Sequence, residues 1–120
     1  MKERAHVLVV DDEEPIRKLI TFTLADDGYD VVAAANGAIA LEHVYAHTPD
    51  LILLDMKMPV MDGWAFARAY RELPPPHAPI ICMTAARDAG ERCVEIAADG
   101  VLGKPFTLGE LLTVVGQHLG

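Results

Sequence analysis

Five times along this chain, a short and nearly continuous apolar run gives way to a longer stretch with hydrophobic residues three and four apart. The runs are residues 5–10, 29–34, 50–54, 79–83 and, more weakly, 100–103. Their length, their β-branched content and their apolar character on both sides predict strands of a parallel sheet covered on both faces.

The intervening stretches predict helices. Asp12 can cap the first, Glu13 and Glu14 suit the positive end of its dipole, and Pro15 fits its first turn. Ile16, Leu19, Ile20, Thr23 and Leu24 form its apolar stripe, and Gly28 ends it. Asn36-Gly37 could mark a hairpin turn, but Ala40, Leu41 and Val44 repeat at helical spacing where a returning strand would alternate. A helix start is therefore expected there. Asp62-Gly63 opens a third helix carrying Trp64, Ala67, Tyr70 and Leu73, and Pro74-Pro75-Pro76 stops it. The fourth is expected from near Asp88, through Cys93, Val94 and Ala97, to Asp99-Gly100. Thr107 and Glu110 have capping-box spacing ahead of a fifth helix, whose stripe is Leu108, Leu111, Leu112, Val115 and Leu119.

Five such units in 120 residues imply one domain, 1–120, rather than two. Right-handed crossovers place helices on both faces, giving an α/β fold with a doubly wound five-stranded parallel sheet flanked by five helices. By analogy with known sheets of this kind the order is taken as 2-1-3-4-5. Ligands then bind at the carboxyl ends of strands one and three, where the order reverses.

Composition narrows the function classes. Hydrophobic residues make up 52% of the chain, which argues against disorder. The net charge of −8 argues against direct nucleic-acid binding. No apolar run approaches the roughly 18 residues of a membrane span, and no signal-peptide pattern follows the charged start, so the expected compartment is the cytoplasm. Cys82 and Cys93 form no CxxC, and buried free thiols are expected rather than a pair.

Polar residues then stand out at four strand ends. Asp11-Asp12 follows the first strand, Asp55 the third, Thr84 the fourth and Lys104 the fifth. Two unit charges about 4 Å apart repel by roughly 4 kcal/mol at an effective dielectric near 20, so three converging carboxylates call for a cation. Mg²⁺ fits, because it takes hard oxygen ligands and keeps waters that a phosphate can replace. Taken singly, these residues have plainer roles: caps for Asp11 and Asp12, a strand terminator for Asp55, a strand-end hydroxyl for Thr84, a surface charge for Lys104. Their joint placement carries the argument. His43 and His47 sit four apart and could ligate a metal, but the stripe through Ala40, Leu41 and Val44 turns both toward water. Asp50, Asp62 and Asp88 read as turn or cap residues, and Met56, Met58 and Met61 as filling against the third helix.

With these residues placed, the sequence resembles the CheY-like receiver domains of two-component response regulators, which have the flavodoxin-like order adopted above. The matching pieces are Val-Asp-Asp-Glu at 10–13, Pro-Asp-Leu-Ile-Leu-Leu-Asp at 49–55 and Met-Pro-Val-Met-Asp-Gly at 58–63. Pro-Ile-Ile-Cys-Met-Thr-Ala at 79–85, Ala-Ala-Asp-Gly at 97–100 and Lys-Pro-Phe at 104–106 complete them. The resemblance implies that Asp55 is the phosphoacceptor, taking a phosphoryl group from a histidine kinase or phosphotransfer protein. Asp11, Asp12, Asp55 and the backbone carbonyl of Lys57 would hold Mg²⁺. Thr84, Lys104 and the amides of Met56 and Ala85 would contact phosphoryl oxygens, and the Lys104–Pro105 bond would be cis.

The resemblance further implies a phosphorelay switch that catalyses only its own phosphorylation and dephosphorylation. Such a switch acts on a downstream effector protein or domain, without membrane insertion, as a monomer or a phosphorylation-dependent dimer. Whether the chain stands alone or belongs to a larger regulator or hybrid kinase stays open. Lys57 and Ala86 occupy the positions where the family tunes phosphoryl loss. Val101 departs from the pattern, since an aromatic switch residue is usual there, and a short, χ1-stiff valine cannot sweep the same volume. Two rivals remain. A metal-dependent phosphohydrolase would want a second Asp where Lys57 stands, and an unphosphorylated interaction module would have no need of the acidic pair, Thr84 and Lys104 together.

Overall fold

The computed structural model describes residues 4–85, 87 and 89–119. Its elements are β1 (His6–Val10), α1 (Glu14–Asp26), β2 (Asp30–Ala34), α2 (Gly37–Ala46), β3 (Leu51–Asp55), α3 (Gly63–Glu72), β4 (Ile80–Ala85), α4 (Ala89–Glu95), β5 (Gly100–Lys104) and α5 (Leu108–Leu119). All strand pairs are parallel and the sheet order is β2-β1-β3-β4-β5, as expected.

Strand alternation divides the core into two layers. Val7, Val9, Leu51, Leu53, Ile81 and Met83 pack against Ile20 and Leu24 of α1 and Leu111 and Val115 of α5. Leu8, Val10, Ile52, Leu54, Ile80 and Cys82 meet Ala40 of α2, Phe66, Ala67 and Tyr70 of α3, and Cys93 of α4. β3 is buried throughout. Coverage of both faces does not extend to β2, an edge strand with only Ala34 fully buried.

The local capping signals operate as read for three helices. Asn36 accepts from the Ile39 amide at 3.0 Å and Asp62 from Ala65 at 2.9 Å. Thr107 and Glu110 exchange reciprocal bonds of 2.9 and 3.0 Å. Asp62→Ala is expected to cost about 1 kcal/mol in urea unfolding, because it leaves an amide of the first turn of α3 without its acceptor.

Four readings need correction. Asp12 does not cap α1: Glu13 occupies the cap position without a side-chain cap bond, and Asp11 accepts from the Glu13 amide instead. In α1 and α5 the stripe is narrower than drawn, because Leu19 and Leu108 lie at its margin and are exposed. α4 stops at Glu95, before Ala97, which adopts a positive φ of 50°. There Arg71 reaches across from α3 to the carbonyls of Ile96 and Ala97, satisfying acceptors at the helix end. Asp88, the expected start of α4, lies outside the described residues.

The fourth concerns the cysteines. Cys82 and Cys93 are joined by a disulfide, with Cα atoms 5.6 Å apart, instead of being free thiols. The connection after β4 returns α4 onto the same face of the sheet as the Cys82 side chain, and the two sulfurs meet there. The expectation of a cytoplasmic setting loses the support of free thiols. Among the described residues, no helix is long and apolar enough to cross a membrane.

Candidate functional site

Register assembles the site at the carboxyl edge of the sheet. Val10 pairs with Leu54, so Asp11 and Asp55 come next on adjacent strands. Asp55 pairs with Met83, one residue before Thr84. Ala85, rather than Thr84, is the last residue of β4, and it pairs with Lys104. The strand ends thus bring together the polar groups singled out in the sequence.

Asp11 and Asp12 are neighbours with different surroundings. Asp11 is fully buried, and its carboxylate accepts from the Glu13 amide at 2.9 Å and from Lys104 Nζ at 2.7 Å. The Arg17 guanidinium donates to its backbone carbonyl at 2.9 Å. Asp12 is exposed. Ligand oxygens of Asp11, Asp12 and Asp55 nonetheless lie within 4.8 Å of one another. Three hard oxygen donors, two of them on buried side chains, suit Mg²⁺ better than a softer ion.

Asp55 is 7% exposed and accepts from its neighbour's amide, Met56 N, at 3.0 Å. Burial, reinforced by the negative charge of Asp11, pushes its carboxyl up to about 7 against the opposing pull of Lys104. The charge of Asp12 and a hydrogen bond with it add to the rise. Lys104 Nζ lies 3.5 Å from Asp55 and 3.9 Å from Glu13. Burial opposes the lysine's charge, but the Asp11 hydrogen bond and the charges of Asp11, Asp55 and Glu13 outweigh it and hold its pKa above the ordinary value. The ammonium is thus held chiefly by Asp11, 2.7 Å away.

Thr84 is 2% exposed, and its hydroxyl accepts from Arg92 of α4 at 3.3 Å. Lys57 is exposed in the loop after β3, and the Lys104–Pro105 peptide is cis. Val101 lies on edge strand β5 and is 47% exposed. Ala86 lies outside the described residues. Arg17, Glu13 and Arg92 are site neighbours that sequence reading missed. Glu13 and Arg17 carry a weak signal in following Asp11 by two and six positions on the first turns of a helix, whereas nothing local marks Arg92.

The histidines stand apart. His43 and His47 line a cavity of about 270 Å³ with His6 and Asp30, beside β1, β2 and the end of α2. His47 is exposed and His43 half-buried. Among the described residues they do not join any three-ligand group of the kind the carboxylates form.

The family model for the response regulator receiver domain matches residues 7–116. The chemotaxis protein CheY4 of Vibrio cholerae is 33% identical, with 97% of this chain and 99% of that one covered and a TM-score of 0.83. The signal receiver domain of a signal transduction histidine kinase from Syntrophus aciditrophicus is 30% identical, with 96% and 89% covered and a TM-score of 0.86. The receiver domain of Francisella response regulator 1452 is 30% identical, with 95% of each chain covered and a TM-score of 0.84.

Proposed function

This chain belongs to the response regulator receiver domain family of two-component signalling, and from that footing we propose that Asp55 is its phosphoryl acceptor. The observation that carries the reading is the cluster of Asp11, Asp12 and Asp55 within 4.8 Å, with Lys104 Nζ 3.5 Å from Asp55. The donor would be a phosphohistidine on a histidine kinase or phosphotransfer protein. An Asp55 oxygen forms the new bond to phosphorus as the phosphorus–nitrogen bond breaks, and the departing imidazole keeps the electron pair and takes up a proton.

Phosphoryl transfer depends on alignment and charge neutralisation more than on covalent assistance, and the residues divide that work. Asp11, Asp12, Asp55 and the Lys57 carbonyl would hold Mg²⁺, which when bound neutralises charge on the carboxylates and on the phosphoryl oxygens. Lys104 supplies a second positive charge from the carboxyl end of β5. The Thr84 hydroxyl and the amides of Met56 and Ala85 serve as donors to phosphoryl oxygens. The Met56 amide is already directed at the Asp55 carboxylate. Modification would bring roughly −1.5 to −2 charge into the crevice and shift the population of a surface read by an effector.

The test is exposure to acetyl phosphate with and without Mg²⁺, followed by intact mass. Wild type should gain one phosphoryl group only when Mg²⁺ is present, and Asp55→Asn should gain none. Mg²⁺-dependent modification persisting in Asp55→Asn removes Asp55 from the role.

A further inference from the structure

The structure contains two successive links between β4 and α4. Cys82 and Thr84, two apart on β4, share one face of the sheet, and consecutive residues of α4 answer them. Cys93 is bonded covalently to Cys82, and the Arg92 guanidinium donates to the Thr84 hydroxyl at 3.3 Å. The first link anchors the helix. The second is a hydrogen bond at the long end of the usual range, made to a neutral acceptor, and it can be exchanged.

Arg92 has a further neighbour. Its guanidinium lies 6.0 Å from the ring centroid of Trp64 on α3, and the Trp64 indole donates to Glu95 of α4 at 3.1 Å. Arg92 therefore joins a buried hydroxyl at the candidate site to an α3–α4 contact nearer the surface. Val101, at 47% exposure and without an aromatic ring, offers no comparable bridge.

We propose that Arg92 is the positioning residue that couples Asp55 to α4, holding the Thr84 hydroxyl while Asp55 is unmodified and losing it when a phosphoryl group arrives. This rests on the reading of Asp55 as acceptor. Phosphoryl oxygens carry negative charge, so a hydroxyl donating to them makes a shorter and stronger bond than the one it accepts from Arg92. Thr84 turns toward the phosphoryl group, the Arg92 bond is lost, and the position of the guanidinium beside the Trp64 ring changes with it. Because Cys93 stays tied to β4, the helix pivots about that point rather than detaching.

Trp64 is the single tryptophan of the chain and serves as a reporter. The experiment treats wild type, Arg92→Ala and Arg92→Lys with acetyl phosphate and Mg²⁺ in non-reducing buffer. Modification is followed by intact mass, Trp64 by its emission, and the α4 amides by ¹⁵N–¹H shifts. Wild type should show emission and α4 shift changes in proportion to modification. Compared at equal extents of modification, Arg92→Ala should lose both responses, and Arg92→Lys should recover part of them.

The α4 shifts separate coupling from the mere loss of a cation beside the indole. Modified wild type with unchanged emission and α4 shifts overturns the proposal. So does Arg92→Ala with wild-type α4 shifts on modification. Absence of any modification at Asp55 in wild type overturns the acceptor reading and this inference with it.

Discussion

Asp55→Asn is expected to stabilise the protein by about 2 to 4 kcal/mol at pH 8 in the absence of divalent cations, and to leave stability nearly unchanged near pH 4. The Asp55 carboxyl titrates at about 7 in the folded chain against an ordinary 3.8, because it is buried beside Asp11. Below the ordinary value it is protonated in both states and no penalty arises. As pH rises, the unfolded chain ionises first and binds fewer protons than the folded one. Wild-type stability then falls by up to about 1.4 kcal/mol per pH unit until the folded group also ionises near 7. Above that the loss is constant.

Asparagine keeps an acceptor for the Met56 amide and never ionises, so the variant escapes the loss. Urea unfolding of both proteins at pH 4 and pH 8 measures it, and equal stabilities at pH 8 would mean that Asp55 is not under the strain described. Excess Mg²⁺ should restore stability to wild type at pH 8 and do less for the variant, which lacks one of three carboxylates. Under the proposed function, a cation held by these carboxylates would favour the ionised Asp55 that acts as nucleophile, which connects stability to that proposal.

The second large effect is at Gly63. A Cβ there would lie 2.6 Å from the Asp55 carbonyl oxygen, 2.8 Å from Met56 Cα and 2.8 Å from Met56 Sδ. Two of these three are main-chain atoms that cannot swing aside. The Gly63 amide donates to the Met56 carbonyl at 2.9 Å, so the start of α3 is bound to the end of β3 at that point. Gly63→Ala must push the two apart, and a loss of about 2 to 4 kcal/mol is expected despite the better helix propensity of alanine.

Because the displaced atoms belong to Asp55 and its neighbour, Mg²⁺-dependent modification should also slow by about tenfold or more. Gly116→Ala on α5, where nothing lies within 4 Å, is the control, and it should be neutral or stabilising by up to about 1 kcal/mol. If Gly63→Ala unfolds within about 0.5 kcal/mol of wild type, the close approach is not essential.

Residues whose role is set by near neighbours were legible before the fold was known. Asn36, Asp62 and the Thr107–Glu110 pair cap helices through bonds three residues apart, so their spacing already contains the geometry. The same holds for the strand-end placement of Asp11, Asp55 and Lys104, which follows from where apolar runs stop. Asp12 and Asp11 show the boundary of that reasoning. Both stand at the end of one strand, yet only Asp11 is buried, and it rather than Asp12 binds the amide at the start of α1.

The sequence by itself determined the alternation of strands and helices, most helix starts and the identity of the carboxylates that could share a cation, because hydrophobic period and capping are local. Tertiary structure alone decided that Lys104 is held first by Asp11 across 93 positions, that Arg71 of α3 serves the end of α4, that Cys82 meets Cys93, and that Arg92 of α4 reaches Thr84. Each of those contacts depends on where one element settles on another, to within the length of a bond. A repeating pattern of hydrophobic positions specifies which face of an element is buried but not that distance.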